Sequence, residues 1–380
     1  MVRDAPVSPP TGNPTASLER PGPLTSTPAA RPARFARFAW MTGALIALLT
    51  AAVFLPALGN GFVNWDDEEN FLANPYYRGL GWTQIRWMFS IPHTGPYVPI
   101  TWLTLGLDYV LWGMKPAGYH ATSVIFHTLN AVLVYALARR LLTVAVPGRA
   151  AIRWGAAAAA LLFGIHPLRV ESVAWISERR DVVSGCFALL TVLAYLTAAA
   201  RGAAGCLERR WFWAAVGLFS LALLSKPIAV GLPAVLVALD CYPLGRMADG
   251  GTSPLRRFLR LSIIEKSPFL AVGGVVAASA IAVGKMHGAV TSLEALGVAE
   301  RLAISSYGLI FYLSKTIAPW PLSPLYTLFY PVRPWSAMYA LPEILVVLVT
   351  AALVWMRRRW PAGLIAWVSY AALLFTVIGI

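Results

Sequence analysis

Apolar runs alternate with arginine-rich breaks along almost the whole chain. A helix needs roughly 20 predominantly apolar residues to cross the hydrocarbon core. Phe38 to Leu58 meets that length and follows Arg31, Arg34 and Arg37, which favours an inside amino terminus. Further runs cover Tyr119 to Leu137, Ile152 to Ile165, Val182 to Ala199, Trp211 to Leu224, Ile228 to Leu239, Pro268 to Gly284, Leu341 to Trp355 and Leu364 to Ile380. Keeping the basic groups around Arg139, Arg201, Arg256 and Arg358 on the inside makes these nine crossings. Arg301 to Pro319 is then a helix that does not span.

The stretches between the runs carry their own patterns. Residues 59 to 118 form a large external loop. Within it Trp82, Ile85, Met88 and Phe89 fall at helical spacing, which predicts an interfacial helix over Leu80 to Ile91. Tyr97 to Trp112 is read as a second interfacial helix. Another external stretch runs from His166 to Asp181; as one helix it would set Glu171 and Glu178 on one face and Arg169 and Arg180 on another. Ser225-Lys226-Pro227 separates two apolar runs at the same external edge.

Composition agrees with this pattern. The chain is 58% hydrophobic and 13% charged, with mean hydropathy +0.64, whereas soluble domains carry about 25% charged residues. The fold class predicted is all-α, a polytopic integral membrane protein. The net charge of +14 could suggest nucleic acid, but the basic residues lie between apolar runs and mark membrane sides instead. Cys186, Cys206 and Cys241 match no metal or redox spacing. Residues 1–37, rich in Pro, Ser, Thr and Ala, predict a disordered cytoplasmic tail. The last apolar run reaches Ile380, which suggests a domain over residues 38–380 that is truncated at its carboxy terminus.

The candidate chemistry gathers on one side. Only 17 residues are Asp or Glu, yet Asp66, Asp67, Glu68 and Glu69 are consecutive, directly after the first span. On the same external face lie His166, Glu171, Arg179, Arg180, Asp181 and Lys226. Carboxylates beside cations at lipid depth suit transfer between a lipid-borne phosphate compound and a hydroxyl: the carboxylate takes the proton and the cations hold the phosphate. Transporters set ionisable groups near the bilayer midplane, whereas these cluster at helix ends. No glycine-rich nucleotide fingerprint occurs, no cofactor is called for, and the four acids have no further ligand spacing that would require a metal.

Gly61-Phe62-Val63-Asn64-Trp65-Asp66-Asp67, Gly118-Tyr119-His120 with His127, His166-Pro167 with Glu171, Arg180-Asp181 and Ser225-Lys226-Pro227 occur in that order. Together they resemble the membrane part of bacterial and animal transmembrane-and-TPR proteins, which are similar to polyprenyl-phosphate-sugar-dependent glycosyltransferases of the GT-C fold, protein O-mannosyltransferases among them. The resemblance implies an inverting enzyme of a bacterial inner (plasma) membrane. It would move a sugar, mannose by preference, from a polyprenyl phosphate to an external protein or glycan hydroxyl. It implies catalysis by Asp66 and Asp67 and donor binding by Arg179, Arg180 and Lys226. No 34-residue period is found, so the TPR part of that pattern is absent from these residues. The alternative is a non-catalytic lipid-linked-sugar transporter, or a membrane scaffold for such repeats.

Overall fold

The computed structural model describes residues 33–377 except 91, 94, 149–150, 203–205, 248–252, 287, 289–290 and 328–330. Most of the expected amino-terminal tail, residues 1–32, lies outside the described residues; the remainder already belongs to α1 (Ala33–Phe54). The described residues form fourteen α-helices and no strand, an all-α polytopic membrane protein. α1 is followed by a first loop holding α2 (Trp82–Ser90) and α3 (Pro99–Trp112), then α4 (Pro116–Ala145) and α5 (Ile152–Ile165). After the short α6 (Val170–Ala174) come α7 (Arg179–Arg201), α8 (Arg209–Leu223), α9 (Leu232–Cys241) and the short α10 (Pro254–Leu259). The chain continues as α11 (Ser267–Met286), α12 (Val298–Ile317), α13 (Ala337–Trp355) and α14 (Pro361–Leu374).

Five helical stretches are long and apolar enough to cross a membrane: those built on α1, α4, α7, α11 and α13; a sixth counts if α5 and α6, bent by 52°, make one span. The expected nine crossings are therefore not met by nine full-length helices. The reason is local. α8 is 15 residues and opens with Arg209 and Arg210. α9 is shortened because Pro227–Gly231 winds as a tighter 3-10 turn first. α12 is not in the long apolar set. Its Tyr307 meets Tyr339 at the start of α13, Leu309 accepts from Tyr370 of α14, and its end reaches His166.

α7 is the centre of the bundle. In its span 61% of the apolar window is buried inside the protein, against 11% for α11 and 6% for α13, whose apolar sides are left for lipid. α7 packs on α8 through Val192, Tyr195, Leu196, Phe219 and Leu223. On the other flank α1, α4 and α5 meet over small residues, Ala131, Ala156, Ala157 and Ala160, with Ile46 and Tyr135. Small side chains let membrane helices approach closely. Gly164 shows how closely: a Cβ there would stand 2.5 Å from Thr50 Oγ1, and its carbonyl is 2.8 Å from His127 Nε2.

The two ends of this bundle differ. At the end holding Arg140, Arg201 and Arg246, a closed polar knot ties α7, α9 and the start of α11. Tyr195 Oη donates to Asp240, which ion-pairs with Arg246 at 2.9 Å and with Lys266 at 2.8 Å. Glu265 pairs with both cations at 2.6 Å, and both also donate to Tyr195 Oη. At the other end the first loop folds on a core of its own. Phe71, Tyr77, Met88, Val98, Trp102 and Leu105 close over Tyr119 of α4 and Ile176. α3 comes so near the loop that a Cβ on Gly106 would stand 2.7 Å from the Gly79 carbonyl.

Candidate active site

His166 to Asp181 is not one helix. Pro167–Arg169 and Ile176–Glu178 are 3-10 turns on either side of the five-residue α6, since Pro167 cannot continue α5. The shared faces expected for Glu171 with Glu178 and for Arg169 with Arg180 are therefore lost. Glu178 is buried while Glu171 is exposed. The broken backbone brings Ser177 and Glu178 under the first loop instead.

Asp67 is the buried anchor of that contact. Its Oδ1 accepts from Ser177 N at 3.1 Å and Ser177 Oγ at 2.7 Å, and its Oδ2 accepts from Val63 N at 3.0 Å. Asn70 Nδ2 donates to the same Ser177 hydroxyl. Only 1% of Asp67 is exposed, and its three hydrogen bonds hold the loop to the turn that leads into α7. Asp66 faces differently. It lines a shallow cleft together with Asn70, His93, Thr101, Trp102, Ser177 and Arg180. Glu68 and Glu69 are exposed in the single wide turn Glu68–Leu72. Beside the cleft Trp65 stacks on Trp175 at 5.6 Å.

The cations divide into two groups. Arg179 is fully buried, ion-paired with Asp108 of α3 at 2.7 Å, and donates to Ser123 Oγ at 2.8 Å and to the Tyr119 carbonyl. Burial pushes the Asp108 carboxyl above the usual range, against the pull of Arg179 and of the Thr122 hydroxyl, which donates to it. Arg179 thus joins α3, α4 and α7 and does not line the cleft. Arg180 does. Its Nε and Nη2 both donate to Glu178 Oε1, and Asp66 is within Coulombic range of it.

Glu178 Oε2 in turn accepts from Lys226 Nζ at 2.8 Å, and the same ammonium donates to Asp181 Oδ1 at 2.5 Å. Asp181 Oδ2 accepts from Ser172 Oγ. Burial opposes the charge on Lys226, but Asp181 and Glu178 outweigh it and hold the ammonium above its ordinary pKa. Glu178, Arg180, Asp181 and Lys226 are one continuous ion-pair row, with Glu171 close enough to feel it. Among the described residues, Arg180 Nη1 and one N–H of Lys226 meet no acceptor.

His166 stands apart as a clasp. Its Nδ1 accepts from Leu168 N, and its Nε2 lies 3.0 Å from the Thr316 carbonyl at the end of α12. With Nδ1 accepting, Nε2 is the nitrogen that faces the Thr316 carbonyl as donor. Ser177, Glu178, Asn70, Asp108 and His120 were not among the residues expected in the site. His120 lies buried near the Gly61 backbone and the Asp67 charge, with both ring nitrogens outside strict hydrogen-bond geometry. The motif Gly118-Tyr119-His120 flagged it; nothing in periodicity flagged Ser177, because its role depends on broken helices. Among the described residues no group of three or more His, Cys, Asp or Glu could hold a metal ion.

The chain is related in sequence to proteins named protein O-mannosyl-transferase. It is 31% identical over 238 residues to Tmtc1 of Drosophila melanogaster, covering 57% of this chain and 26% of that protein. Against Tmtc2 of Drosophila melanogaster identity is 31% over 159 residues, 39% of this chain and 16% of the relative. Against TMTC3 of Mus musculus it is 29% over 161 residues, 40% and 16%. The chain thus spans about a quarter or less of the length of these curated relatives. No family model matches. No solved structure matches either.

Proposed function

We propose that this protein is a glycosyltransferase that moves a sugar, mannose by preference, from a polyprenyl phosphate to a hydroxyl of a protein. The relatives named protein O-mannosyl-transferase support the class. The observation that carries the site is the division of labour in the acidic pair. Asp67 is buried and accepts three hydrogen bonds, whereas Asp66 opens to a cleft with Arg180 on its wall.

In the reaction, Asp66 accepts the proton of the acceptor hydroxyl as its oxygen attacks the anomeric carbon. The carbon–oxygen bond to the phosphate breaks on the opposite face, so configuration inverts, and the polyprenyl phosphate leaves with the bonding electron pair. Arg180 and Lys226 meet the growing charge through donors that Glu178 and Asp181 leave unused. Glu178 is a positioning residue that orients both cations. Arg179, locked to Asp108, supports α7 from behind and touches no substrate. Glu171, at the open edge of the row, offers an acceptor for a sugar hydroxyl, and His166 keeps α12 over that edge.

The arginine-rich end is read as cytoplasmic and the cleft as external, on the positive-inside rule, in a bacterial inner (plasma) membrane. The architecture is read as GT-C-like, supported by the first span being followed at once by an acidic loop with two short helices. Transfer of labelled mannose from polyprenyl-phosphate mannose, measured in membranes holding the full chain or its Asp66→Asn variant, tests the reading. Transfer by wild type above empty membranes, lost in the variant, is expected. Equal transfer by both, at the level of empty membranes, would sink it in favour of a scaffold.

A further inference from the structure

Arg169 differs from the three cations beside it in that no carboxylate of the described residues neutralises it by contact. Arg179 pairs with Asp108, Arg180 with Glu178, and Lys226 with Glu178 and Asp181. Among the described residues Arg169 enters no ion pair within 4.0 Å, and its buried Nε has no hydrogen-bond partner. The guanidinium lies over the Phe163 ring, 4.8 Å from the centroid. Asp181 lies within Coulombic range of it but is already bonded to Lys226 and Ser172. A half-buried arginine left so is costly unless an anion completes it.

The surroundings specify which anion. Arg169 sits at the 52° break between α5 and α6, and the large side chains exposed around that break are Leu162, Ile165 and Val170. A free ion gains nothing from that apolar rim, whereas an anion on a hydrocarbon tail gains both contacts. From Arg169 the charges then alternate through Asp181, Lys226, Glu178 and Arg180 to Asp66 at the cleft. A headgroup held at the break would lie at the lipid end of that row.

We propose that Arg169, stacked on Phe163, is a binding site for the phosphate of a polyprenyl lipid, through which that lipid docks from the bilayer beside the row. This deepens the transferase reading and rests on it for the identity of the lipid. The guanidinium supplies charge-assisted, bidentate hydrogen bonds to the phosphate oxygens, and Leu162, Ile165 and Val170 take the first isoprene units.

The test measures binding of polyprenyl phosphate, without sugar or acceptor, to the purified full chain in detergent by native mass spectrometry. Phosphatidylglycerol and inorganic phosphate serve as competitors. Arg169→Gln is expected to weaken polyprenyl phosphate at least tenfold and Arg169→Lys to retain part of the affinity. Neither competitor should displace the lipid at equal concentration. Unchanged affinity in Arg169→Gln, or equal displacement by phosphatidylglycerol, overturns the proposal. A photoreactive polyprenyl phosphate on wild type gives a check independent of folding of the variants: label within residues 162–173 supports the site, and label confined elsewhere refutes it. Binding without any mannose transfer would sink the transferase reading alone; transfer that survives Arg169→Gln intact with unchanged binding would sink this one alone.

Discussion

Asp67 and Ser177, separated by 110 positions, are joined twice: one carboxylate oxygen accepts both the backbone N–H and the hydroxyl of the serine. Asp67→Asn puts an amide where three donors converge, and a buried donor left unsatisfied costs about 1–3 kcal/mol. Asp66→Asn disturbs no such bond. The two variants should therefore separate. Asp67→Asn lowers the melting temperature and transfer together, while Asp66→Asn keeps the melting temperature and loses roughly 10²–10⁴-fold in transfer. Thermal unfolding in detergent beside the mannose assay reads both; a melting loss in Asp66→Asn of the size seen for Asp67→Asn would reverse the assignment.

Arg179 and Asp108 make a pair with less than 2% of either side chain exposed. Breaking a buried pair from one side costs about 3–5 kcal/mol, whereas replacing both partners by apolar groups is often neutral. Arg179→Met alone should unfold readily, and the double variant with Asp108→Leu should recover stability and most of its transfer. A stable double variant with no transfer would return Arg179 to the substrate.

Lys226 gives a pH dependence of definite sign. Its folded pKa is raised above the ordinary lysine value by Asp181 and Glu178 against burial. The ion pair therefore contributes in full below about pH 10.4 and is lost as pH climbs through the higher folded value. Melting temperature should hold level from neutral pH and fall only beyond that point, and Lys226→Met should lack the alkaline step. An alkaline step of the same size in this variant would contradict its assignment to Lys226.

Glu265 behaves oppositely. Arg246 and Lys266 outweigh burial and hold its carboxyl below the ordinary range. Its contribution is present above about pH 4.3 and fades as pH falls through the depressed value. Glu265→Gln should flatten the acid limb of the melting profile while leaving transfer at neutral pH within about twofold, because the knot is at the far end of the bundle.

Much of the helical frame was legible in the pattern of apolar runs, because composition alone decides where a chain can enter lipid. α1, α4, α7, α11 and α13 fall where the runs do. Apolar periodicity did not show that α9 is shortened by the 3-10 turn at Pro227, nor that 3-10 turns flank α6 between His166 and Glu178, because it counts apolar positions and not the winding that Pro167 and Pro227 impose. The same blindness hid the site's supports. Ser177 matters through the Asp67 that the first loop presents to it, Glu178 through Arg180 and Lys226, and nothing in the apolar pattern around Asp108 points to its partner Arg179. Asp66 and Asp67 were conspicuous as neighbours; only the fold turns one toward the cleft and the other toward Ser177.

The knot around Tyr195 holds two carboxylates, Asp240 and Glu265, and two cations, Arg246 and Lys266. A membrane potential exerts about 2.3 kcal/mol per elementary charge for each 100 mV crossed. Because the four formal charges cancel, that field finds no net charge to move in the knot. The bundle is fastened there by strong electrostatics that stay indifferent to whether the cell is energised.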